Sequence, residues 1–388
     1  MTYADHRKII DADSHLIELD DFLALAATET DKALLRPMSE QKELPVVQKG
    51  LNRGRELFAK RQDDPATMAK FEDALLDNTK SGWNRLGAFD PQERSHTLNL
   101  FGFAMQWVLP TFAFHQVAHV DDPEVLEAGA RTLNTAMGRF CAHDNRLQAI
   151  GYLPLTLGPK TALALMKQGL ADGCYTFMLD TNEPDPTKRS FTHPDFDDVW
   201  ALFDAENRPF GIHVAVNGRY RAVSPSFRNN GKTTLELGGD APAGELGLMN
   251  IGVSAQMFMA ALIFDGVFDR HQGLRGLSME HAAFWLPSWL KSLEYTAYNF
   301  KRKRQYKESP VDTAHARLKI SPFAGEPVGW ITGQVGNEML VFASDYPHPE
   351  GTNDPIRRFE AQMTECDEAT MDKFYHGNME ALMDIRLS

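Results

Sequence analysis

The chain has 388 residues, of which 43% are hydrophobic and 24% are charged, and its formal net charge is −13. This composition describes a globular chain with ample material for a core and excludes a chain that is disordered throughout. The negative charge argues against nucleic acid as the main partner, because phosphate binding draws on clustered Lys and Arg.

Eight runs of strand length alternate with helical segments, which predicts an α/β fold with a parallel sheet. Amphipathic helices are predicted at 123–144, from Pro159, at 194–206 and from Asp354 onwards. A chain of 388 residues lies within the range that (β/α)8 barrels reach with insertions. The predicted strands occupy residues 8–13, 105–110, 148–153, 176–180, 209–214, 275–280, 317–321 and 340–344.

Two connections are too long to be plain loops of a barrel. They cover about residues 22–104, after the first strand, and about 217–264, after the fifth. Structureless loops of this length are uncommon in a compact domain, so we expect each to hold its own helices or to fold over the site as a lid. The predicted organisation is one distorted (β/α)8 TIM barrel domain over residues 1–388 with these two insertions.

Cysteine usage and hydropathy bear on location. Cys141, Cys174 and Cys366 stand far apart, and their spacing implies neither a disulfide framework nor a thiolate metal site. The N-terminus runs directly into the first strand without the apolar stretch of a signal peptide. No segment is expected to approach the roughly 20 apolar residues of a membrane span. We therefore expect a cytoplasmic protein that has no membrane partner.

Ligand-type side chains lie at the ends of three predicted strands. Asp13 and His15 follow the first strand, His213 ends the fifth, and Asp345 follows the eighth. A divalent cation takes imidazole and carboxylate ligands that converge from different strands, and the carboxyl ends of barrel strands meet at one face. The joint placement predicts a metal site. Taken singly, Asp13 is also consistent with a strand-end cap and His213 with a buried core histidine.

Several motifs of the chain resemble the amidohydrolase superfamily. The nearest resemblance is to the amidohydrolase-2 group, which includes aminocarboxymuconate semialdehyde decarboxylase and the aromatic acid decarboxylases. Only the two long connections look unlike the family. The motifs that carry the resemblance are IDADSHLIE at 10–18, LPL at 153–155, HPDF at 193–196, GIH at 211–213, GVFDR at 266–270, ASDYPHPEG at 343–351 and GN at 377–378.

The resemblance implies that His15, His213 and Asp345 bind one divalent cation. In the family the first strand usually ends in His-x-His, whereas here Asp13 takes the first of the two places. Asp13 is therefore the expected fourth ligand. Zinc is the first choice of metal. Manganese and iron are alternatives, because a carboxylate here replaces a nitrogen ligand of the family.

His281 stands where the decarboxylases of this group carry a histidine followed by glycines, although Ala282 and Ala283 replace those glycines here. We interpret His281 as a general acid or base, or as a residue that holds a metal-bound water. A buried histidine at the start of the next helix is the structural alternative.

Three further residues are candidates for additional ligands or for groups that orient the ligands. Glu18 lies one turn beyond the first strand, Glu280 precedes His281, and His348 follows Asp345 in a proline-bounded turn. A solvated Glu18 and a purely structural turn around His348 are the alternatives.

Candidate substrate-binding residues follow the fifth and sixth strands. Asn217, Arg219 and Arg221 come directly after the fifth strand. Arginine binds a carboxylate through two parallel hydrogen bonds, so Arg219 or Arg221 could orient an acidic substrate, with a solvated loop as the alternative. Trp285 could form a wall of the pocket, although a core position explains most aromatic residues.

The ligand set and the resemblance lead to one principal hypothesis, a metal-dependent lyase that decarboxylates a small unsaturated or aromatic carboxylic acid. Asp345 would move a proton to the carbon that loses carbon dioxide, and His281 would assist. The alternative is a hydrolase that acts on a C–C, amide or ester bond with the same site. More remote alternatives are a dinuclear enzyme with unusual chemistry and an inactive scaffold. The family likeness also implies a homodimer.

Overall fold

The structure, a computed structural model, describes residues 2–38, 45–77, 82–118, 120–180, 185, 187–214, 223–235, 244–348, 351 and 353–387. The chain divides into two compact units. The first comprises Met1–Pro154, Ala164–Phe177 and Ser344–Ile356, and the second comprises Leu155–Leu163, Met178–Ala343 and Arg357–Ser388. That residues 1–388 form a single domain stays a prediction.

The strands of the described residues coincide with the first seven predicted runs. In the first unit β1 pairs in parallel with β2, and β2 pairs in parallel with β3. In the second unit β5 pairs in parallel with the end of β4 and with β6, and β6 pairs with β7. Parallel neighbours need crossover connections, which the intervening helices supply. The strands are β1 (Ile10–Leu16), β2 (Met105–Pro110), β3 (Leu147–Leu153), β4 (Cys174–Leu179), β5 (Phe210–His213), β6 (Gly276–Met279) and β7 (Leu318–Ile320).

The eighth predicted run, 340–344, contains one isolated bridge instead of a regular strand in the described part of the chain, and a second bridge follows the run at Tyr346. Leu340 bridges to Ile320 in the second unit, and Tyr346 bridges to Ser14 in the first. The backbone N–H of Ser344 donates to the side chain of Asp11 at 2.9 Å. Ser344 therefore bonds to a side chain of β1 instead of to a strand carbonyl.

The helices include those expected between the strands. α7 begins at Pro123, and the carboxylate of Asp122 caps it by accepting the N–H groups of Glu124 and Val125. The described helices are α1 (Phe22–Ala26), α2 (Glu29–Lys32), α3 (Pro45–Asp63), α4 (Pro65–Asp73), α5 (Pro91–Phe101), α6 (Phe112–Val117), α7 (Pro123–Cys141), α8 (Pro159–Ala171), α9 (Asp197–Ala205), α10 (Pro225–Arg228), α11 (Gly244–Met249), α12 (Val253–Phe264), α13 (Val267–Arg270), α14 (Leu286–Phe300), α15 (Pro310–Arg317), α16 (Val328–Val335), α17 (Pro355–Glu360), α18 (Glu368–Asp372) and α19 (Asn378–Met383).

Both long connections hold helices of their own, as predicted. The connection after β1 contains α1 to α5, and the described part of the connection after β5 contains α10 to α12. The guanidinium of Arg61 on α3 forms two hydrogen bonds, of 2.7 and 2.8 Å, with the carboxylate of Glu93 on α5. Both side chains are buried. The first connection is therefore anchored by a buried ion pair.

One helical stretch corrects the expectation that no segment approaches a membrane span. Gly244–Phe264 has a mean hydropathy of 1.7 and is long and apolar enough to cross a membrane by length and composition alone. A core helix passes the same test, and α12 buries much of its surface. Its buried residues are Ser254, Ala255, Phe258, Met259, Ala260, Leu262 and Ile263.

Candidate metal centre

The end of β1 carries two ligand-type side chains. Asp13 and His15 are each only 1% exposed, and the register of β1 against β2 shifts between Asp11 and Ser14. The Nε2 atom of His15 lies 3.2 Å from Oδ1 of Asp13. β1 extends to Leu16, so both residues belong to the strand itself, in contrast to the predicted strand end at residue 13.

Asp345 and His348 join this pair within the first unit. Oδ1 of Asp345 lies 3.6 Å from Nε2 of His15 and 3.1 Å from Nδ1 of His348. The ligand atoms of His15, Asp345 and His348 all lie within 4.8 Å of one another. Asp345 has a φ of 55°, a left-handed conformation that costs a non-glycine residue roughly 1–2 kcal/mol. Strain of this kind often marks a functional position.

The spacing of these atoms fits a divalent cation. Metal bonds of about 2.0–2.2 Å in a tetrahedral arrangement separate neighbouring ligand atoms by roughly 3.3–3.6 Å. The separations from Nε2 of His15 to the oxygens of Asp13 and Asp345 are 3.2 and 3.6 Å. Imidazole nitrogen and carboxylate oxygen form a donor set that suits zinc, manganese or iron. The residues present therefore fit the metal that the sequence predicts.

Asp11 connects the two segments that carry these ligands. Its buried carboxylate accepts hydrogen bonds from the Ser344 hydroxyl at 2.6 Å and from Nε2 of Gln106 at 2.9 Å. Burial raises the pKa of Asp11 to about 6, against the opposing effect of these hydrogen bonds. Asp11 thus ties β1 to the residue that precedes Asp345.

Glu18 contacts the backbone at the start of α6. Its carboxylate accepts the N–H groups of Thr111, Phe112 and Ala113 at 2.9, 2.8 and 3.2 Å. Burial raises the pKa of Glu18 to about 7, and the backbone hydrogen bonds oppose this rise. Glu18 therefore holds the loop that presents Thr111.

Thr111 is a site residue that the sequence reasoning missed. Its hydroxyl oxygen lies 3.3 Å from Nδ1 of His15 and 2.8 Å from Nε2 of His348. The two imidazole rings stack with their centroids 3.8 Å apart. Thr111 directly follows β2, so the rule that polar residues at the carboxyl ends of barrel strands form the site could have identified it.

The remaining predicted site residues described by the structure belong to the second unit. His213 ends β5, and its Nε2 lies 3.3 Å from Oε2 of Glu280. His281 is fully buried, and its Nδ1 lies 3.0 Å from the hydroxyl of Ser278. Burial, together with the nearby His213, lowers the pKa of His281 to about 3. His281 is therefore neutral at physiological pH.

The structure gives mixed information on the predicted substrate-binding residues. Trp285 is half-buried, and its indole N–H donates to the carbonyl of His281 at 2.9 Å. Asn217, Arg219 and Arg221 lie outside the described residues.

A cavity of about 320 Å³ in the second unit adds residues that the sequence reasoning did not select. It is lined by Asp180 after β4, by the cations Lys188 and Arg189, and by apolar side chains such as Leu155 and Phe191.

Comparison with known proteins identifies the family. The profile of the family described as amidohydrolase (Amidohydro_2) matches residues 10–385. The chain belongs to this amidohydrolase family. No curated protein matches the sequence.

Solved structures of known proteins share the fold of this amidohydrolase. An amidohydrolase from Mycobacterium avium subsp. paratuberculosis K-10 is 20% identical, with 97% of this chain and 99% of that chain covered and a TM-score of 0.72. A 2,6-dihydroxybenzoate decarboxylase from Rhizobium is 16% identical, with 97% and 99% covered and a TM-score of 0.62. A 5-carboxyvanillate decarboxylase from Novosphingobium aromaticivorans DSM 12444, complexed with manganese and 4-hydroxy-3-methoxy-5-nitrobenzoic acid, is 17% identical, with 99% and 100% covered and a TM-score of 0.62.

These similarities confirm the predicted fold class, a distorted (β/α)8 barrel of the amidohydrolase type. Family membership identifies the protein as a metal-dependent enzyme. The structural neighbours include decarboxylases of aromatic acids and amidohydrolases, and manganese is the ion bound in the 5-carboxyvanillate decarboxylase.

Proposed function

We propose that this amidohydrolase is a metal-dependent decarboxylase of a small aromatic or unsaturated carboxylic acid. The observation that carries the proposal is the buried cluster in which oxygens of Asp13 and Asp345 lie 3.2 and 3.6 Å from Nε2 of His15. The structural likeness to two aromatic acid decarboxylases supports this choice of reaction.

Asp13, His15 and Asp345 would hold the metal, and we add His213 to the set on the sequence argument alone. A bound divalent cation would act as a Lewis acid toward the carboxylate and an adjacent oxygen of the substrate. Zinc stays the first choice for this chain. Manganese gains support from the neighbouring decarboxylase that contains it.

Asp345 is the carboxylate best placed to transfer a proton. Its side chain is 16% exposed, whereas the side chain of Asp13 is only 1% exposed. In the proposed step the oxygen of Asp345 that does not hold the metal would carry a proton, which passes to the substrate carbon while the bond to the carboxylate breaks and carbon dioxide leaves. Solvent then restores the proton on Asp345, so the net reaction consumes one proton.

His281 fits the role of a group that holds a water molecule better than that of a general acid or base. Its imidazole is held neutral by burial, with a pKa lowered to about 3. Its Nδ1 lies 3.0 Å from the hydroxyl of Ser278, a contact that fixes the ring. A neutral, fixed imidazole can hold a water molecule by a hydrogen bond, whereas the protonated form that an acid or a base would need is costly at this position.

The cavity in the second unit has the size of a small-molecule site. Its volume of about 320 Å³ lies at the lower end of the range of about 300–1,000 Å³ for such sites. The cations Lys188 and Arg189 lie in its lining together with the carboxylates of Asp180 and Asp195, and Arg189 pairs with Asp195. For the carboxylate of the substrate we propose Arg219 or Arg221 as the binding residue.

The test uses purified protein loaded with Mn²⁺ or Zn²⁺ and a panel of hydroxylated benzoic acids in D₂O. Decarboxylation releases carbon dioxide and leaves deuterium on the vacated carbon, which NMR detects. Asp345→Asn should lower the rate roughly 10²–10⁴-fold, because it removes the proton donor. Asp198→Asn on the exposed face of α9 is the matched control and should retain activity. Full activity of Asp345→Asn would refute the proposed role.

Hydrolysis with the same residues is the second candidate function. It is favoured by the likeness to the amidohydrolase from Mycobacterium avium, whose TM-score of 0.72 exceeds those of the two decarboxylases described above. In that reaction Asp345 would accept the proton of an attacking water, and His281 would hold this water. Incorporation of ¹⁸O from labelled water into the product, without carbon dioxide release, would support hydrolysis.

Assembly and location stay predictions. A homodimer is expected from the family likeness, and a cytoplasmic location from the scattered cysteines. Light scattering of the purified protein would test the first, and fractionation of the cells that produce it would test the second.

A further inference from the structure

Thr111 touches both histidines of the first unit's cluster. Its hydroxyl oxygen lies 3.3 Å from Nδ1 of His15 and 2.8 Å from Nε2 of His348. The opposite edges of the same two rings face one carboxylate oxygen, because Oδ1 of Asp345 lies 3.6 Å from Nε2 of His15 and 3.1 Å from Nδ1 of His348. The stacked rings thus lie between the hydroxyl of Thr111 and the carboxylate of Asp345.

The backbone holds Thr111 in this place. The N–H of Thr111 donates to Oε1 of Glu18 at 2.9 Å, and the following N–H groups of Phe112 and Ala113 donate to Oε2. Glu18 is only 1% exposed. The carboxylate therefore fixes three consecutive N–H groups, and the hydroxyl of Thr111 is presented to the histidines by a constrained loop.

The hydrogen-bonding capacity of the hydroxyl restricts the protons on the two rings. A threonine hydroxyl supplies one hydrogen and two lone pairs, and a neutral imidazole carries its proton on one nitrogen. If Nε2 of His15 is to bind a metal, the proton of that ring must lie on Nδ1, from which it donates to Thr111. The hydroxyl of Thr111 can then donate its hydrogen to Nε2 of His348. The 2.8 Å distance to that nitrogen is shorter than the 3.3 Å distance to Nδ1 of His15.

We propose that Thr111 is a positioning residue that sets the tautomers of both histidines. In this arrangement His15 presents the lone pair of Nε2 to the metal, and His348 carries its proton on Nδ1 toward Oδ1 of Asp345. His348 then orients Asp345 instead of serving as a metal ligand. The inference rests on the proposed metal site of His15 and Asp345. It adds the hydroxyl of Thr111 as the group that leaves Nε2 of His15 free of a proton for the metal.

The test compares Thr111→Val, which keeps the shape and removes the hydroxyl, with Thr111→Ser, which keeps the hydroxyl. Thr132→Val is the matched control, because Thr132 is also a buried threonine of the first unit and lies on α7. Titration of the metal-free proteins with Mn²⁺, followed by the EPR signal of free Mn²⁺, reports the binding constant. Thr111→Val should lose roughly 10–100-fold in affinity, the usual effect of removing a group that orients a metal ligand. Thr111→Ser and Thr132→Val should stay close to wild type.

A second readout does not depend on metal binding. The ¹⁵N chemical shifts of His348 in metal-free wild-type protein at fixed pH distinguish its two tautomers. We expect Nδ1–H, because Nδ1 faces Oδ1 of Asp345 at 3.1 Å and Nε2 faces the hydroxyl of Thr111 at 2.8 Å. Thr111→Val should weaken this preference. Unchanged Mn²⁺ affinity in folded Thr111→Val, or an Nε2–H tautomer of His348 in the wild type, overturns the inference. Failure of the wild type to bind Mn²⁺ would contradict the metal site, while the wild-type shifts would still decide the role of Thr111 even if Thr111→Val did not fold.

Discussion

Replacement of Arg61 by Met should strongly destabilise the first unit. The side chains of Arg61 and Glu93 are 0% and 3% exposed, and two hydrogen bonds of 2.7 and 2.8 Å join them. Met keeps most of the aliphatic volume of Arg61, so the substitution mainly removes the charge. The carboxylate of Glu93 would keep two neutral donors, Nε2 of Gln62 at 3.1 Å and the N–H of Gly87 at 3.0 Å.

The magnitude follows from the burial of this carboxylate. Removing one partner of a buried ion pair costs about 3–5 kcal/mol, because the remaining charge is left in a medium of low polarity. Two neutral donors compensate only part of that loss, so we expect Arg61→Met to cost about 3 kcal/mol or more. Arg53→Met is the matched control on the same helix. Arg53 is 59% exposed, and its pair with Glu56 contributes at most about 1 kcal/mol.

The assay is urea-induced unfolding of wild type, Arg61→Met, Arg53→Met and the double variant Arg61→Met/Glu93→Gln. Since Gln removes the unpaired charge, the double variant should recover much of the loss. A cost below about 1 kcal/mol for Arg61→Met, equal to that of Arg53→Met, would refute the reasoning. It would show that water or a rearranged side chain reaches Glu93.

Three further predictions concern titration and metal binding. The pKa of His281 is lowered from 6.5 to about 3, so the folded state loses stability as the pH falls from 6.5 towards 3. His281→Asn should therefore flatten the decline of the urea midpoint between pH 7 and pH 5. An unchanged decline would contradict this prediction. The pKa of Glu18 is raised from 4.5 to about 7, so its contribution is lost as the pH rises through this window. Gln does not titrate, so the stability of Glu18→Gln relative to wild type should rise from pH 5 to pH 8 by up to the order of 3 kcal/mol, on top of a pH-independent cost of placing its amide NH₂ against backbone N–H groups. A fall of this difference with pH would show that the sign is wrong. Removal of the metal with a chelator should lower the thermal midpoint, because a ligand at 100 times its Kd stabilises by about 2.7 kcal/mol; an unchanged midpoint after verified metal loss would argue against a metal held by the folded state.

Most of the fold was predictable because its signals are local. Runs of strand length between predicted helices marked β1 to β7, and Asp122 before Pro123 marked the start of α7. The bridges of the eighth run were less predictable, since Ser344 bonds to the side chain of Asp11, which is distant in sequence. The apolar stretch Gly244–Phe264 was underestimated because glycine and asparagine interrupt it.

For the candidate site, the sequence by itself determined which side chains are available. Asp13, His15, His213, His281 and Asp345 carry ligand or proton-transfer chemistry, and each follows or ends an apolar run. Strand periodicity is a property of the local chain, and the alternation of strands with helices predicts parallel strands whose carboxyl ends meet at one face.

Only the tertiary structure decided how the groups contact one another. It brought Thr111 to within 2.8 Å of His348 and 3.3 Å of His15, although 237 and 96 residues separate these pairs along the chain. It also showed that the carboxylate of Glu18 accepts the backbone N–H groups of Thr111, Phe112 and Ala113. Hydrogen bonds depend on distances of a few tenths of an ångström and on direction, which packing sets and residue spacing does not encode.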